Sequence, residues 1–212
     1  NWAYGTASYS KGVVILDQLS HIVGQKVIDK SLKRYFDEWA YKHPNASNFK
    51  RIVEKESGIE LDWYFEYFVN TTKTIDYSIH EIIGDEKGTQ ILLKKGEMPM
   101  PVEFNIVLQN GTVSTYYIPT VLMRGEKEVE LNTKILSDWA WTNPYYSIRL
   151  DQAPSEIKEI QLHTTGHIAD IEPLNDKIQM PDNWDWNKYK LRLDLLEKKK
   201  KGTIKKFVKI KK

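Results

Sequence analysis

Cysteine is absent from this chain of 212 residues, so neither disulfides nor thiolate metal sites can form within it. No apolar run approaches the ~20 residues that a membrane-spanning helix needs. The sequence also contains no His-Glu-x-x-His, no glycine-rich phosphate loop and no Gly-x-Ser-x-Gly elbow. The chain as a whole is 41% hydrophobic and 28% charged, which is typical of a folded globular protein and not of a disordered one.

The net charge of +2 hides an uneven distribution. Between Lys188 and Lys212 there are twelve Lys or Arg and two acids, which leaves 19 basic and 27 acidic residues for the rest of the chain. A basic end of this kind can bind nucleic acid or anionic lipid. We favour the alternative that it is a solvated end, or one that packs on the acidic body, so nucleic acid is not an expected partner.

Apolar residues in the first third of the chain recur at helical spacing. Gly24, the pair His43-Pro44 and Gly58 are expected helix ends, and Asn45, Ser47 and Asp62 are candidate N-caps. The pattern predicts four helices in about 70 residues. The apolar positions that define them are Val13, Leu16, Leu19 and Val23, then Val27, Ile28, Leu32, Tyr35, Phe36 and Trp39, then Phe49, Ile52 and Val53, then Trp63, Phe65 and Phe68.

After the polar run 70–74 the apolar period changes from 3.6 to 2, as in a β-strand. Asn110-Gly111 predicts a hairpin with a type I′ turn. About seven short strands without an intervening helix indicate an antiparallel sandwich of immunoglobulin-like type, not a parallel α/β sheet. The stretches predicted as strands surround Ile75–Ile79, Ile91–Leu93, Val102–Leu108, Val113–Tyr117, Lys127–Leu131, Tyr146–Leu150 and Ile157–His163.

The fold prediction is therefore an α+β chain with two domains and a tail. Residues 1–72 form the helical part, residues 73–178 the β-sandwich, and residues 179–212 a lysine-rich tail that contains Trp184 and Trp186. Leu191, Leu195 and Leu196 in this tail predict a short helix.

Four histidines are candidates for a functional role. His163-Thr-Thr-Gly-His167 imitates a zinc motif, but it lacks the acid, and side chains four apart on a strand are separated by ~13 Å. His43 lies in a helix-ending turn and His80 on a strand face. We interpret all of these as structural and expect neither a metal site nor a bound cofactor in this chain.

The motif that points to chemistry is Tyr4-Gly-Thr-Ala-Ser-Tyr9-Ser-Lys11-Gly12, which leads into the first helix. It resembles the Tyr-x-Lys-Gly motif of the gluzincin aminopeptidases, the zinc peptidase family of aminopeptidase N. The resemblance implies that Tyr9 donates a hydrogen bond to the oxyanion formed at the scissile carbonyl. A donor of this kind contributes ~3 kcal/mol in comparable sites. Tyr4 corresponds to a possible second active-site tyrosine.

Weaker resemblances to the same family follow in order over about residues 4–175. They comprise the helix that ends in Trp39-Ala-Tyr-Lys-His43-Pro44, the stretch Ser57-Gly58-Ile-Glu-Leu61-Asp62-Trp63, the entry Thr71-Thr72-x-x-Ile75-Asp76-Tyr77, and Met98-Pro-Met-Pro101 before the predicted hairpin. The resemblance implies the end of a thermolysin-like catalytic domain followed by the β-sandwich domain, as in the shorter bacterial members.

Under this interpretation the chain is a C-terminal fragment of a metalloaminopeptidase, and the zinc ligands lie in an upstream catalytic domain. The full-length parent binds zinc and hydrolyses N-terminal residues from peptide substrates, whereas the fragment alone is inactive because no metal activates water. The family likeness favours a bacterial exported or periplasmic location over a cytoplasmic one. The alternative is a non-catalytic binding module that uses the sandwich and the basic tail.

Overall fold

Helices make up the first 70 residues of the chain. The computed structural model describes residues 2–85, 87–182, 185, 189–193 and 207–211. A first short helix, a π-helical turn and a second helix follow one another without a break, so residues 2–23 form one long helix and the described segment has the four predicted helices. The elements are α1 (Trp2–Gly5), the π-helical turn (Thr6–Ser10), α2 (Lys11–Val23), α3 (Gln25–Trp39), α4 (Ala46–Ser57) and α5 (Asp62–Asn70).

Most helix ends lie where the sequence placed them. Gly24 separates α2 from α3 with φ 93° and ψ 142°, a conformation open to glycine but not the left-handed helical cap expected there. Asn45 caps α4, and its side chain accepts a hydrogen bond from the Asn48 N–H. Gly58 ends the same helix in the left-handed conformation.

The cap predicted at Asp62 is wrong. Leu61 occupies the N-cap position of α5, and Asp62 is the first helical residue. Its carboxylate pairs with Lys50 of α4 instead of capping the helix backbone. A carboxylate in the first turn is still favourable there because it faces the positive end of the helix dipole.

Two five-stranded sheets follow the helices, with strand orders β10-β9-β1-β2-β6 and β5-β4-β3-β7-β8. The predicted α+β layout, helices followed by a sandwich, is confirmed. The expectation of purely antiparallel pairing is wrong, because β4 and β5 run parallel. The strands are β1 (Tyr77–Asp85), β2 (Gly88–Lys95), β3 (Val102–Leu108), β4 (Val113–Ile118), β5 (Thr133–Ile135), β6 (Tyr145–Leu150), β7 (Ile157–Leu162), β8 (Lys177–Gln179), β9 (Tyr189–Leu193) and β10 (Phe207–Lys211).

The hairpin predicted at Asn110-Gly111 joins β3 to β4, but its turn type differs. Gly111 has φ 85°, and Asn110 keeps a negative φ. The Gly111 N–H donates to the Leu108 carbonyl at 3.0 Å, and the Leu108 N–H donates to the Thr112 carbonyl at 2.8 Å. This is a three-residue loop with glycine in the left-handed position, so only one residue needs positive φ.

Two other predicted elements are not observed. Residues 127–131 are irregular, since the Lys127 ammonium reaches across to the helical segment and this stretch pairs with no described strand. Leu191 belongs to strand β9, not to a helix. Trp184, Trp186, Leu195 and Leu196 lie outside the described residues.

One hydrophobic cluster runs through both parts of the chain. Ile79 and Ile91 of one sheet and Phe104 and Ile160 of the other are fully buried. Leu19, Ile22 and Tyr64 of the helical segment belong to the same cluster. The helices are thus held against the sandwich by apolar burial. Across the described helices, none combines the length and apolar character that a bilayer crossing requires.

Candidate functional site

Tyr9 lies on the π-helical turn Thr6–Ser10, between α1 and α2. Single π-helical turns inside α-helices occur frequently at functional sites. The residue is 68% exposed. The structure therefore places the predicted oxyanion donor where a group outside the chain can reach it.

Tyr4 and Tyr9 face each other, with ring centroids 6.3 Å apart in an edge-to-face arrangement. Five residues along a regular α-helix correspond to a rotation of about 140° past a full turn, which points the two side chains in different directions. The wider turn of a π-helix, with its i→i+5 hydrogen bonds, brings positions i and i+5 onto one face. The π-helical turn thus unites the two tyrosines that the sequence motif singled out.

The leading end of this long helix carries an unusual amount of exposed apolar surface. Trp2 is 85% exposed, and Tyr4 and Val13 are exposed as well. Large exposed apolar groups that lie together mark interaction surfaces. We call Trp2, Tyr4, Tyr9 and Val13 the leading face.

The other motif residues have different surroundings. The Lys11 ammonium lies 5.0 Å from the ring centroid of Phe68 in α5, a cation–π contact that ties the motif to the last helix. A Cβ built on Gly12 would meet no atom within 4 Å. The packing of the described residues therefore does not explain a glycine at this position.

The far end of the same helix is deeply buried. Gln18, Leu19 and Ile22 are fully covered, and the Tyr64 hydroxyl donates to the Gln18 side-chain oxygen at 3.0 Å. Burial raises the pKa of Tyr64, so the phenol stays a hydrogen-bond donor. The helix is thus anchored at one end and projects the tyrosine pair at the other.

His21 forms the main polar contact between this helix and the sandwich. Its Nε2 lies 3.2 Å from the Pro101 carbonyl oxygen, and its own carbonyl accepts a hydrogen bond from Lys127 Nζ at 2.7 Å. Lys127 also pairs with Glu103 at 2.5 Å. Burial, with the nearby Lys127 charge, lowers the pKa of His21 to about 3, so the imidazole is neutral near pH 7.

A cleft of about 390 Å³ opens beside this contact, between α2 and the second sheet. Its lining is largely polar and includes His21, Glu103, Lys127, Thr165 and His167. His167 Nδ1 lies 2.7 Å from an Asp17 carboxylate oxygen, in a partly exposed pair. The tyrosine pair is not among the residues that line this cleft.

His163 and His167 do not act together. The chain turns sharply between them, with positive φ at His163 and Gly166, and the Gly166 N–H donates to the His163 carbonyl. His167 pairs with Asp17, whereas His163 lies in the interior beside Asp170 and Asp176. We predicted no zinc motif here because side chains four apart on an extended strand lie far from each other. The segment is a turn and not a strand, so that reason does not hold.

The remaining histidines, His43 and His80, lie outside the groups discussed above. His43 is exposed in the turn after α3. His80 lies in β1, with its ring centroid 5.1 Å from that of Tyr145. The structural interpretation of both side chains stays a prediction.

Two groups in the described residues bring three metal-binding side chains together. Glu54, Glu60 and Asp62 are partly exposed, and their oxygens already hold the Leu61 N–H and the Lys50 ammonium. His163, Asp170 and Asp176 are covered by the sandwich. Sequence reasoning missed the second group because its members lie on irregular backbone, where spacing does not predict which side chains meet.

Neither group fits a peptidase zinc site. Such a site uses two histidines and a glutamate on helices and keeps one coordination position open to substrate. The group around His163 is buried in the sandwich, and Glu54, Glu60 and Asp62 offer no imidazole. Neither group found among the described residues has the ligand set of a peptidase zinc site.

Residues 1–68 match the sequence profile of the peptidase family M1 domain. The match covers the helical segment and stops within α5, before the first strand. The helical segment, about a third of the chain, is therefore similar to part of a family M1 peptidase domain.

Proposed function

We propose that this chain is the C-terminal part of a zinc-dependent aminopeptidase and contributes Tyr9 to its active site. The observation that carries the proposal is the coincidence of three features on one helix. The peptidase match includes it, its π-helical turn unites Tyr4 and Tyr9, and both phenols are exposed. In this account the leading face packs against the catalytic domain that holds the zinc ligands.

The chemistry of Tyr9 follows from its phenol. As the scissile carbonyl becomes tetrahedral, negative charge collects on its oxygen, and the phenol O–H donates a hydrogen bond to that oxygen. A neutral phenol is a useful donor because its hydrogen bond to the oxygen strengthens as negative charge develops there. The same hydrogen bond is weak in the ground state, so it stabilises the transition state more than the bound substrate. Tyr4, edge-on to Tyr9, holds the ring in place and is a candidate second donor.

Gly12 supports a partner at this end of the helix. Glycine allows another backbone to approach closely because it has no side chain. Within this chain nothing lies within 4 Å of the place where its Cβ would be. A catalytic domain packed on the leading face accounts for a glycine at this position.

The sandwich supports the site and takes no part in the chemistry. It fixes the buried end of the long helix through the hydrogen bonds that His21 makes with Pro101 and Lys127. That anchoring determines where the tyrosine pair lies relative to a substrate. Since no residue here is assigned to the zinc ion, we expect the 212 residues alone to be inactive. An exported location stays a prediction from the family likeness.

The substrate class is tested with the full-length protein. It should hydrolyse aminoacyl arylamides and peptides with a free amino terminus, and it should leave their N-acetylated forms intact. Removing zinc with a chelator should abolish turnover, and adding zinc should restore it. Turnover by the 212-residue chain alone, or equal cleavage of the acetylated peptides, would contradict the proposal.

A further inference from the structure

The sandwich buries an imidazole whose polar atoms are not satisfied. The side chain of His163 is only 5% exposed, and neither ring nitrogen has a hydrogen-bond partner among the described residues. A buried polar atom left without a partner costs ~1–3 kcal/mol. Burial also lowers the pKa of His163 to about 3, so the ring is neutral and each nitrogen is either an unmet donor or an unmet acceptor.

The backbone at His163 is held in an uncommon conformation. Its φ is 50°, in the left-handed region that few residues other than glycine, asparagine and aspartate adopt. The His163 N–H donates to the Glu103 carbonyl at 2.8 Å, and the ring packs edge-on against Tyr77 with centroids 5.5 Å apart. Strained residues persist where their surroundings fix them, often at ligand sites.

Two carboxylates face the imidazole. One donor atom from each of His163, Asp170 and Asp176 lies within 4.8 Å of the others, a separation that one ion can bridge. His163 Nε2 and Asp170 Oδ2 are 3.9 Å apart, too far for a hydrogen bond between them. The three side chains therefore converge on a common point without bonding His163 to Asp170.

The Asp170 carboxylate is oriented by the backbone around it. Oδ2 accepts from the Tyr77 N–H at 2.7 Å, and Oδ1 accepts from the Glu172 N–H at 2.8 Å. Each oxygen keeps a further lone pair for another ligand. Such second contacts typically fix the ligands of metal sites.

We propose that His163, Asp170 and Asp176 form a buried site for one divalent cation of the zinc class. Two carboxylates balance the charge of the ion, and the neutral imidazole supplies a nitrogen donor that Zn²⁺ favours and that Ca²⁺ and Mg²⁺ do not. Three protein donors leave the fourth position of a tetrahedral zinc ion to water. The site is distinct from a peptidase zinc centre, because two of its three residues are buried and all three lie after strand β7.

The position of the site indicates a structural role. The loop from His163 to Asp176 connects β7 to β8 and crosses the end of β1, where the Ile171 N–H donates to the Ile75 carbonyl. An ion held by both ends of this loop and by Asp170 in its middle ties the loop to the sandwich. This inference departs from the expectation of a metal-free chain, and it does not depend on the proposed peptidase function.

The test uses the 212-residue chain after chelator treatment, with Zn²⁺ as the probe. We expect one Zn²⁺ per chain by calorimetric titration, a rise in the thermal midpoint on adding it, and a Co²⁺ absorption spectrum of tetrahedral type. His163→Asn retains a residue that tolerates the left-handed backbone but removes the imidazole. It should weaken binding roughly 100-fold or more, at least as much as losing an outer-shell partner of a metal site.

Two further variants make the result decisive. Asp170→Asn keeps a side chain of the same shape and should also weaken Zn²⁺ binding strongly. His167→Asn removes the partly exposed histidine of the same loop and should leave the affinity unchanged. No Zn²⁺ binding by the wild-type chain, or equal binding by wild type, His163→Asn and Asp170→Asn, would overturn the proposal. If His163→Asn fails to fold, the Zn²⁺ affinity of Asp170→Asn and the Co²⁺ spectrum of the wild-type chain test the proposal instead.

Discussion

The sandwich buries several of its large aromatic residues, whereas the helical segment leaves several of its own in water. In the sandwich Tyr77, Phe104 and Trp139 are at most 3% exposed and pack against one another or against neighbouring rings. In the helical segment Trp2, Tyr9 and Phe36 are all more than two-thirds exposed. The helices do bury Tyr64 and Leu19, so the contrast concerns one face of the segment, not its fold.

This contrast distinguishes a region that supports the fold from a face that we propose to take part in catalysis. A region that buries its large side chains completes its own core, whereas a face that leaves aromatics in water is suited to contact another surface. The sandwich buries these rings in the core that it shares with the helices, and the leading face is the region suited to a partner. Matched substitutions in the two regions can test the contrast directly.

Replacing a phenylalanine by alanine should give the largest difference in unfolding free energy between the two regions. Phe104 is fully buried and stacks on Tyr116 at 4.9 Å, so Phe104→Ala should lower the free energy of unfolding by ~3–5 kcal/mol. Phe36→Ala removes an exposed ring and should change it by less than ~0.5 kcal/mol. Urea unfolding followed by circular dichroism measures both, and equal effects would break the contrast.

A smaller difference should come from removing a tyrosine hydroxyl. The Tyr77 hydroxyl accepts from the Met100 N–H at 2.7 Å, and it donates to the Met100 carbonyl at 2.9 Å. Tyr77→Phe leaves these buried groups unpaired and should cost ~1–3 kcal/mol of unfolding free energy. Tyr9→Phe should leave the stability of the chain unchanged, since its hydroxyl is exposed. A destabilised Tyr9→Phe chain would assign that residue to packing.

The smallest expected effect is the pH dependence of the unfolding free energy. Burial lowers the pKa of His21 to about 3 in the folded chain, against 6.5 when unfolded. Between these values the unfolded chain binds more protons, so stability is present above about pH 6.5 and is lost as the pH falls. From about pH 7.5 to about pH 5.5 the loss due to His21 should be ~1.4 kcal/mol.

Removing the buried imidazole isolates that loss. Without added metal, His21→Gln should flatten the pH dependence of the unfolding free energy by this amount. An identical slope in His21→Gln and the wild-type chain would show that His21 titrates normally in the folded state.

Much of the fold follows from local patterns in the sequence. Helix ends at Gly24, Asn45 and Gly58 were predictable, because caps depend on a few neighbouring residues. The strands β1 to β4, β6 and β7 followed from alternation and from the Asn110-Gly111 turn. The stretch 127–131 also alternates, but Lys127 is committed to His21 and Glu103, a contact between distant residues that no local pattern reveals.

The two candidate sites also differ in whether the local sequence predicts them. Tyr4 and Tyr9 were predicted from a contiguous motif, and the helix that carries them places them together. The grouping of His163, Asp170 and Asp176 depends on a turn with positive φ and on irregular loops, so sequence spacing gave no indication of it. The assignment of Tyr9 as oxyanion donor remains a prediction, and so do the domain limits at residues 72 and 178.

The kcat of Tyr9→Phe in the full-length protein tests the central claim most directly. Loss of one oxyanion donor typically lowers kcat by ~100–1000-fold, so we expect a drop in that range with KM nearly unchanged. Tyr41→Phe is the matched control, because Tyr41 is a fully exposed tyrosine of the same segment outside the motif. A kcat for Tyr9→Phe equal to that of Tyr41→Phe would contradict the account.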